Sequence, residues 1–282
     1  MNLKYKIVIG DSRDMSEVPD NSVDYIVTSP PYWNLDVFSK KGESGWERDL
    51  SQIRNMSKFF AEISKVWREC YRVLKPGGYL TCEWEDYPVG SRIYGYSREI
   101  CLCGPMVDSI ESAGLYLISR VIWKKFQSGV ALVKFQYTMY DNLRQSDPRA
   151  IANWAYVYTF KKKELVPRVR RLDFNRIEWK EFSDGVWYIE ASTSGAGEVI
   201  SGGAVFPVKL VERLIRIYTY KGDTVLDPFG GTGTTMLACR NLRRNCIIYE
   251  ALLKMLPVIK RKVGYGAQSL TGEKIEWEVI TK

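Results

Sequence analysis

Histidine is missing from all 282 residues. Without an imidazole, His-based nucleophilic or acid–base chemistry is excluded, and a zinc site nearly so. Six cysteines are present, none in a C-x-x-C pair, and Cys101 and Cys103 stand one residue apart, a poor zinc spacing. They read as reduced core residues. No run of about 18 or more uncharged apolar residues occurs, so no membrane span is expected. The first residues lack the long apolar stretch and small-residue cleavage site of a signal peptide. The expectation is a cytoplasmic protein without a membrane partner. Internal repeats and low-complexity tracts are also absent.

What is there is an excess of positive charge, and it is unevenly placed. The formal net charge is +8. Between Lys124 and Phe182 stand 13 Lys and Arg against 6 Asp and Glu, nearly the whole excess. The same stretch holds eleven aromatics, among them Phe135, Tyr137, Tyr140, Trp154, Tyr156, Tyr158 and Trp179. Cations interleaved with aromatics suit a surface that tracks phosphates and stacks bases. A solvated basic face over an ordinary aromatic core would read the same way.

The length suits one large domain, or one domain with an inserted module. Lys6–Ile9 and Val23–Thr28 read as strands, the second stopped by Ser29-Pro30-Pro31, since consecutive prolines cannot continue a ladder. Asn34–Leu50 reads as a loop. Ile53, Met56, Phe60, Ile63, Trp67, Cys70 and Leu74 recur at helical spacing, ended by Lys75-Pro76-Gly77-Gly78. Tyr79–Trp84 reads as a strand, Pro105–Ala113 as a helix and Leu115–Trp123 as a strand. Phe206-Pro207 opens a second amphipathic helix; Thr224–Leu226 and Cys246–Tyr249 are strands on either side of a helix over Met236–Leu242. Strands alternating with helices imply a doubly wound α/β sheet.

Two motifs stand at strand ends. Asp227-Pro228-Phe229-Gly230-Gly231-Thr232-Gly233-Thr234-Thr235 turns from strand to helix through glycines, with Glu250 at the tip of the next strand. Such a turn lets backbone approach a ligand and aims helix N–H groups at it. An acidic residue about 20 positions on can hold ribose hydroxyls. The turn lacks the third glycine of the dinucleotide fingerprint and the lysine of a P-loop, which argues against nucleotide hydrolysis. The second motif is Thr28-Ser29-Pro30-Pro31-Tyr32-Trp33. A rigid turn at a strand's C-terminal end sits where open α/β sheets place their ligands. It offers carbonyl and hydroxyl acceptors beside an aromatic face, which is what an amino group on a flat base needs. Each motif alone is also compatible with a purely structural turn.

Together the two motifs resemble those of the amino-methylating DNA methyltransferases, (Asp/Asn/Ser)-Pro-Pro-(Tyr/Phe) and Asp-Pro-Phe-x-Gly-x-Gly-Thr-Thr, in the permuted order that puts the catalytic half first. Ser22–Trp33 and Arg72–Gly78 are close to family wording. The resemblance covers most of Ile7–Trp123 and Phe206–Glu250. Two departures stand out. Gly202–Val205 replaces the family's His-Pro-rich lead before Phe206-Pro207, and Glu83-Trp84-Glu85-Asp86 replaces an Asn-x-Gly-Asp-like strand end.

The resemblance implies a circularly permuted, seven-stranded Rossmann-like sheet with S-adenosyl-L-methionine as cofactor. It implies a catalytic half over 1–123, a target-recognition segment over 124–197 and a cofactor-binding half over 198–282. Ser29, Pro30, Pro31 and Tyr32 would be catalytic, with Tyr32 stacked on a base flipped out of duplex DNA. Asp11 would meet the cofactor's adenine end. Phe206, Asp227, Pro228, Phe229, Gly231, Gly233 and Thr234 would surround the methionine end, and Glu250 the ribose. Trp33, Lys161, Lys162, Lys163, Arg168 and Arg170 are expected to meet DNA, with Arg144 and Gln145 as further candidates for base edges. Serine at position 29 favours cytosine N4 over adenine N6. No Pro-Cys, the nucleophile signature of cytosine-C5 methylation, occurs. Adenine N6, or a catalytically silent DNA-binding subunit, are the alternatives. A cognate restriction endonuclease is a candidate partner, and the chain is expected as monomer or homodimer.

Overall fold

A computed structural model describes residues 2–33, 42–89, 98–126, 154–164, 173–191, 206–267 and 272–282. Its centre is one nine-stranded sheet. The N-terminal part supplies β1 (Asn2–Ile9), β2 (Val23–Thr28), β3 (Leu74–Trp84) and β6 (Leu115–Phe126). β7 (Trp154–Lys162) and β8 (Val186–Glu190) follow, then β9 (Thr224–Asp227), β10 (Asn245–Glu250) and β11 (Lys274–Thr281). The order across the sheet is β11-β1-β10-β9-β2-β3-β7-β6-β8. β7 is antiparallel to both its neighbours; the other pairings are parallel. A separate two-stranded ribbon pairs β4 (Tyr87–Val89) with β5 (Arg98–Ile100).

This is the doubly wound α/β sheet expected, with two edge strands, β11 and β8, beyond seven. β9 and β10 sit between β1 and β2, so the two sequence halves interleave in one sheet. The stretch 124–197 needs correction. It was expected as an insertion between complete halves, yet it supplies β7 and β8. A strand hydrogen-bonded on both sides, as β7 is by β3 and β6, belongs to the sheet itself.

Helices cover both faces. On one lie α1 (Met56–Val73) and α2 (Cys103–Glu111), whose Phe59, Ile63, Trp67, Met106 and Ile110 pack on Ile26, Leu80 and Trp84. α1 starts where the Asn55 side chain caps the Lys58 N–H at 2.8 Å. The Pro-Gly-Gly stretch is an irregular entry to β3, with Gly77 at φ +69°, and the ladder to β2 slips there. The other face carries α4 (Val208–Tyr218), α5 (Thr234–Leu242) and α6 (Leu256–Val263). The Leu210, Val211, Leu214 and Ile215 stripe of α4 packs there on Tyr25 and Val225. A short helix, α3 (Arg176–Phe182), precedes β8 and carries a full capping box from Asn175 and Glu178. All six cysteines are free, and all but Cys101 are buried. Among the described residues no helix is long and apolar enough to cross a membrane.

Candidate active site

β2 and β9 are neighbours from which the chain departs in opposite directions, the switch point where open α/β sheets hold ligands. One buried carboxylate ties the two strand ends together. Asp227 Oδ1 accepts the Thr28 hydroxyl at 2.7 Å and the Phe229 N–H at 3.0 Å, and Oδ2 accepts the Thr235 hydroxyl at 2.6 Å. Burial pushes its pKa up against these three donors. Asp227 thus sets the spacing between the two sequence motifs. Its oxygens are spent inside the fold, not on the cleft wall as expected.

Above this clamp opens a cleft. Asp11, Pro228, Phe229, Gly231 and Glu250 line it, together with Ser29 and Pro31. Sequence elements more than 200 residues apart therefore share one chamber. The turn after β9 needs its glycines. Gly231 and Gly233 hold φ +52° and +83°, and a Cβ on Gly230 would lie 2.9 Å from the Ile248 Cβ. Gly233 is the N-cap of α5, and no side chain caps the helix. Glu250 accepts the Gly231 N–H and the Leu252 N–H, each at 2.9 Å. Burial is the main force raising its pKa to about 7. Just past the neighbouring strand β1, Asp11 is held by the Arg13 guanidinium and by the Arg13 N–H at 2.9 Å.

The expected loop over 34–50 contributes a wall that its pattern did not announce. Short 3-10 turns at Trp46–Arg48 and Leu50–Gln52 bring Arg48, Asp49 and Leu50 onto the cleft. Gly45, at φ +93°, lies so close to Ala251 that a Cβ there would collide with the Ala251 carbonyl. Phe206 is half-buried against the core beside α4. Gly233 and Thr234 lie behind the glycine turn, where the Lys262 ammonium meets the hydroxyls of Thr232 at 2.7 Å and Thr234 at 2.6 Å. Burial alone pushes that ammonium down to about 8.

The Ser-Pro-Pro-Tyr loop rests on the end of β3. Ser29 donates to Glu83 Oε2 at 2.8 Å, and the Tyr32 hydroxyl reaches Glu83 Oε1 at 3.3 Å. Glu83 is 4% exposed, and burial pushes its pKa up while Lys125 pulls it down. The Tyr32 ring stacks on Trp84 at 4.8 Å. Glu83 and Trp84 are thus the site residues that sequence reasoning missed. They lie where the strand end departs from family wording, and that departure was the available signal. Pro30 is buried beneath the loop.

Two expected DNA contacts fail. Trp33 is 5% exposed, packs in the core and donates its indole N–H to the Arg54 carbonyl at 3.2 Å. Lys162 is buried, and its ammonium donates to Asn21 Oδ1 at 2.8 Å and to the Tyr71 and Leu74 carbonyls at 2.7 Å. It holds the end of α1 to the start of β3. Lys161 covers the Tyr79 ring at 5.4 Å, at the same end of β7. The catalytic loop rests on Trp84, whose partner Tyr156 lies five residue steps along β7, roughly 17 Å away. Lys163 is exposed just past that far end. Arg168, Arg170, Arg144 and Gln145 lie outside the described residues.

Comparison with known proteins agrees with this geometry. A DNA methylase family profile, of the N6/N4 methyltransferases, matches residues 23–261. The Type II methyltransferase M.MjaI of Methanocaldococcus jannaschii is 30% identical over 291 residues, covering 92% of this chain and 91% of its own. M.MthZI of Methanothermobacter thermautotrophicus is 27% identical, covering 89% and 74%. Among solved structures, a protein assigned as a DNA modification methylase from Thermus thermophilus, crystallised with S-adenosyl-L-methionine, superposes with a TM-score of 0.74. That match has 24% identity and covers 98% of both chains. PvuII DNA methyltransferase, described as cytosine-N4-specific, gives 0.65 at 18% identity, covering 98% of this chain and 96% of its own. The motif pair at the switch point, the profile across most of the chain and full-length relatives agree: this chain belongs to the N6/N4 family of DNA methylases.

Proposed function

We propose that the protein transfers a methyl group from S-adenosyl-L-methionine to the exocyclic N4 amino group of a cytosine flipped out of duplex DNA, as the modification enzyme of a restriction system. The single observation that carries this reading is the Ser29–Glu83 bond beside Tyr32, opening onto the cleft that Glu250 and the glycine turn enclose.

The cleft fits the cofactor. Gly231 on the cleft wall lets backbone close on it, and Glu250 on the same wall is placed to hold ribose hydroxyls. Asp11 stands at the adenine end. When bound, the cofactor supplies an electrophilic methyl on a positively charged sulfur.

The chain's own residues do the rest. The lone pair of a base amino group is conjugated into the ring and is a poor nucleophile. Ser29 gives its proton to Glu83, which leaves its oxygen lone pairs to accept an amino N–H. That contact strengthens as the nitrogen turns tetrahedral and positive, so it favours the transition state. The nitrogen must then shed one proton. Burial raises the proton affinity of Glu83, and Ser29 stands between the two. The Pro30 carbonyl is proposed as a second acceptor. Tyr32 has one face on Trp84, and the other is proposed to stack on the base. Holding nucleophile and methyl in line supplies most of the remaining acceleration. Nucleoside mass spectrometry of DNA incubated with protein and cofactor decides the base. N4-methylcytosine is expected; N6-methyladenine would overturn the assignment.

A further inference from the structure

If Lys161 and Lys162 stand at the wrong edge of the sheet, a DNA strand entering the catalytic pocket must be held elsewhere. The catalytic edge offers an alternative. Trp84, under Tyr32, pairs across the sheet with Tyr156 on β7. Two residues further, on the same face, Trp154 pairs with Lys124 on β6, and Lys124 pairs in turn with Tyr188 on β8. Trp154 and Tyr188 thus flank Lys124, roughly 10 Å apart across two strand spacings. The Lys124 ammonium lies 5.2 Å from the Trp154 ring centre, and the exposed Arg120 guanidinium lies 5.7 Å from that of Tyr156. Trp154 is 37% exposed and Tyr188 72% exposed, whereas Trp123 and Trp187, on the opposite face, are buried at 2% and 3%. Large rings are costly to leave in water. Here they alternate with buried ones, so their exposure follows from the strand pattern.

We propose that Tyr156, Trp154, Lys124 and Tyr188 form a docking strip for the DNA strand that leads to the flipped base. The aromatic faces carry bases or sugars, and Lys124 and Arg120 carry phosphates. A nucleic-acid strand is the occupant because the strip pairs π-faces with cations, the combination used for sequence-tolerant strand binding. It also continues directly from the catalytic pocket through the Tyr32–Trp84 stack. The inference rests on the DNA-methylating function.

The test uses the full chain and a mixed-sequence DNA duplex. Wild type is first checked for tritium transfer from labelled S-adenosyl-L-methionine to long genomic DNA. No transfer there would sink the functional reading, not the strip. Duplex affinity is then measured by fluorescence anisotropy for Tyr188→Ala, Trp154→Ala, the double variant and Lys124→Glu. Each ring removed should weaken binding by at least about fivefold, and both by roughly 30-fold or more. Tyr188→Phe and Trp154→Phe should keep wild-type affinity, since each keeps a ring. Lys124→Glu should flatten the salt dependence by about one unit of slope. Calorimetric affinity for S-adenosyl-L-methionine should stay unchanged throughout, which also certifies folding. Unchanged DNA affinity in the double variant overturns the proposal. So does a switch from dimer to monomer in sedimentation without loss of DNA affinity, because the strip would then be a subunit contact.

Discussion

The two edges of the sheet treat charge in opposite ways. At the edge carrying the catalytic motif, three acidic side chains are drawn out of water, and their pKa values rise: Glu83, Asp227 and Glu250. Each accepts its hydrogen bonds here from hydroxyls or backbone N–H groups. At the far edge, cations are consumed by the scaffold. Lys162 closes the turn between α1 and β3, Lys75 pairs with Asp24 at 2.7 Å, and fully buried Arg244 ties the Thr219 carbonyl to Asp173. A sum of charges over 124–182 cannot separate these cases. Where each charge sends its hydrogen bonds does.

The largest effect should come from the catalytic edge. Ser29→Ala should lower kcat by about 100-fold or more, the cost of removing one group that favours the transition state. Its affinity for S-adenosyl-L-methionine should stay within about twofold by calorimetry. A loss of only a few-fold in a folded variant would remove Ser29 from the chemistry.

Next come the two carboxylates of the cofactor half. Glu250→Ala should weaken cofactor binding by about tenfold or more, with DNA affinity unchanged, for loss of a group that holds the glycine turn and faces the ligand. Asp227→Ala should weaken cofactor binding and also lower the melting temperature, since it strands the Thr28 and Thr235 hydroxyls and lets the two motifs drift apart. Equal melting temperatures for the two variants would show that Asp227 is no clamp.

At the far edge the expected loss is in stability alone. Lys162→Met leaves the Tyr71 and Leu74 carbonyls without a donor and should cost about 1–3 kcal/mol in urea unfolding. Methyl transfer per folded molecule should not change, and a selective fall in kcat would contradict the division between edges.

A smaller effect appears with pH. The folded pKa of Glu250, about 7, lies above its ordinary carboxylate value. The native state therefore holds a proton that the unfolded chain releases. The stability this lends is complete below about pH 4.5, the ordinary range, and is lost as pH rises through about 7. The cofactor-free protein should melt at lower temperature at pH 8 than at pH 5.5, and Glu250→Gln should flatten that slope. An identical slope in the variant would deny Glu250 its share. The smallest effect belongs to Lys161→Glu with Lys163→Glu. DNA affinity should change by less than about twofold, well below the loss expected at Lys124, although all three lysines lie in the same charged stretch.

The reading of the sequence succeeded where local pattern and chemistry agree. β2, α1, α4 and the strand–turn–helix around Gly231 follow from periodicity and from breakers, because their apolar positions face a core regardless of what that core is. It missed β7 as a strand of the sheet: Ala155, Val157 and Thr159 are buried at alternate positions, the period of a strand, but the charge of the surrounding stretch drew the reading toward an insertion. In the sequence Glu83 stood out only as part of a strand end that departs from family wording. Only the approach of the Ser29 loop from another strand makes it a buried partner.

The sequence by itself determined the family, the doubly wound sheet and the two motifs, since strand ends, prolines and glycines act on backbone conformation within a few residues. The tertiary structure alone decided what joined them. Asp227 meets Thr28 across 199 residues of chain, Glu83 meets Ser29 across 54, and Lys162 meets Tyr71 across 91. Whether a side chain catalyses, binds or props up the fold depends on which edge of the sheet it reaches and on the partners that bury it there. Those partners are set by strand order, which no local pattern encodes.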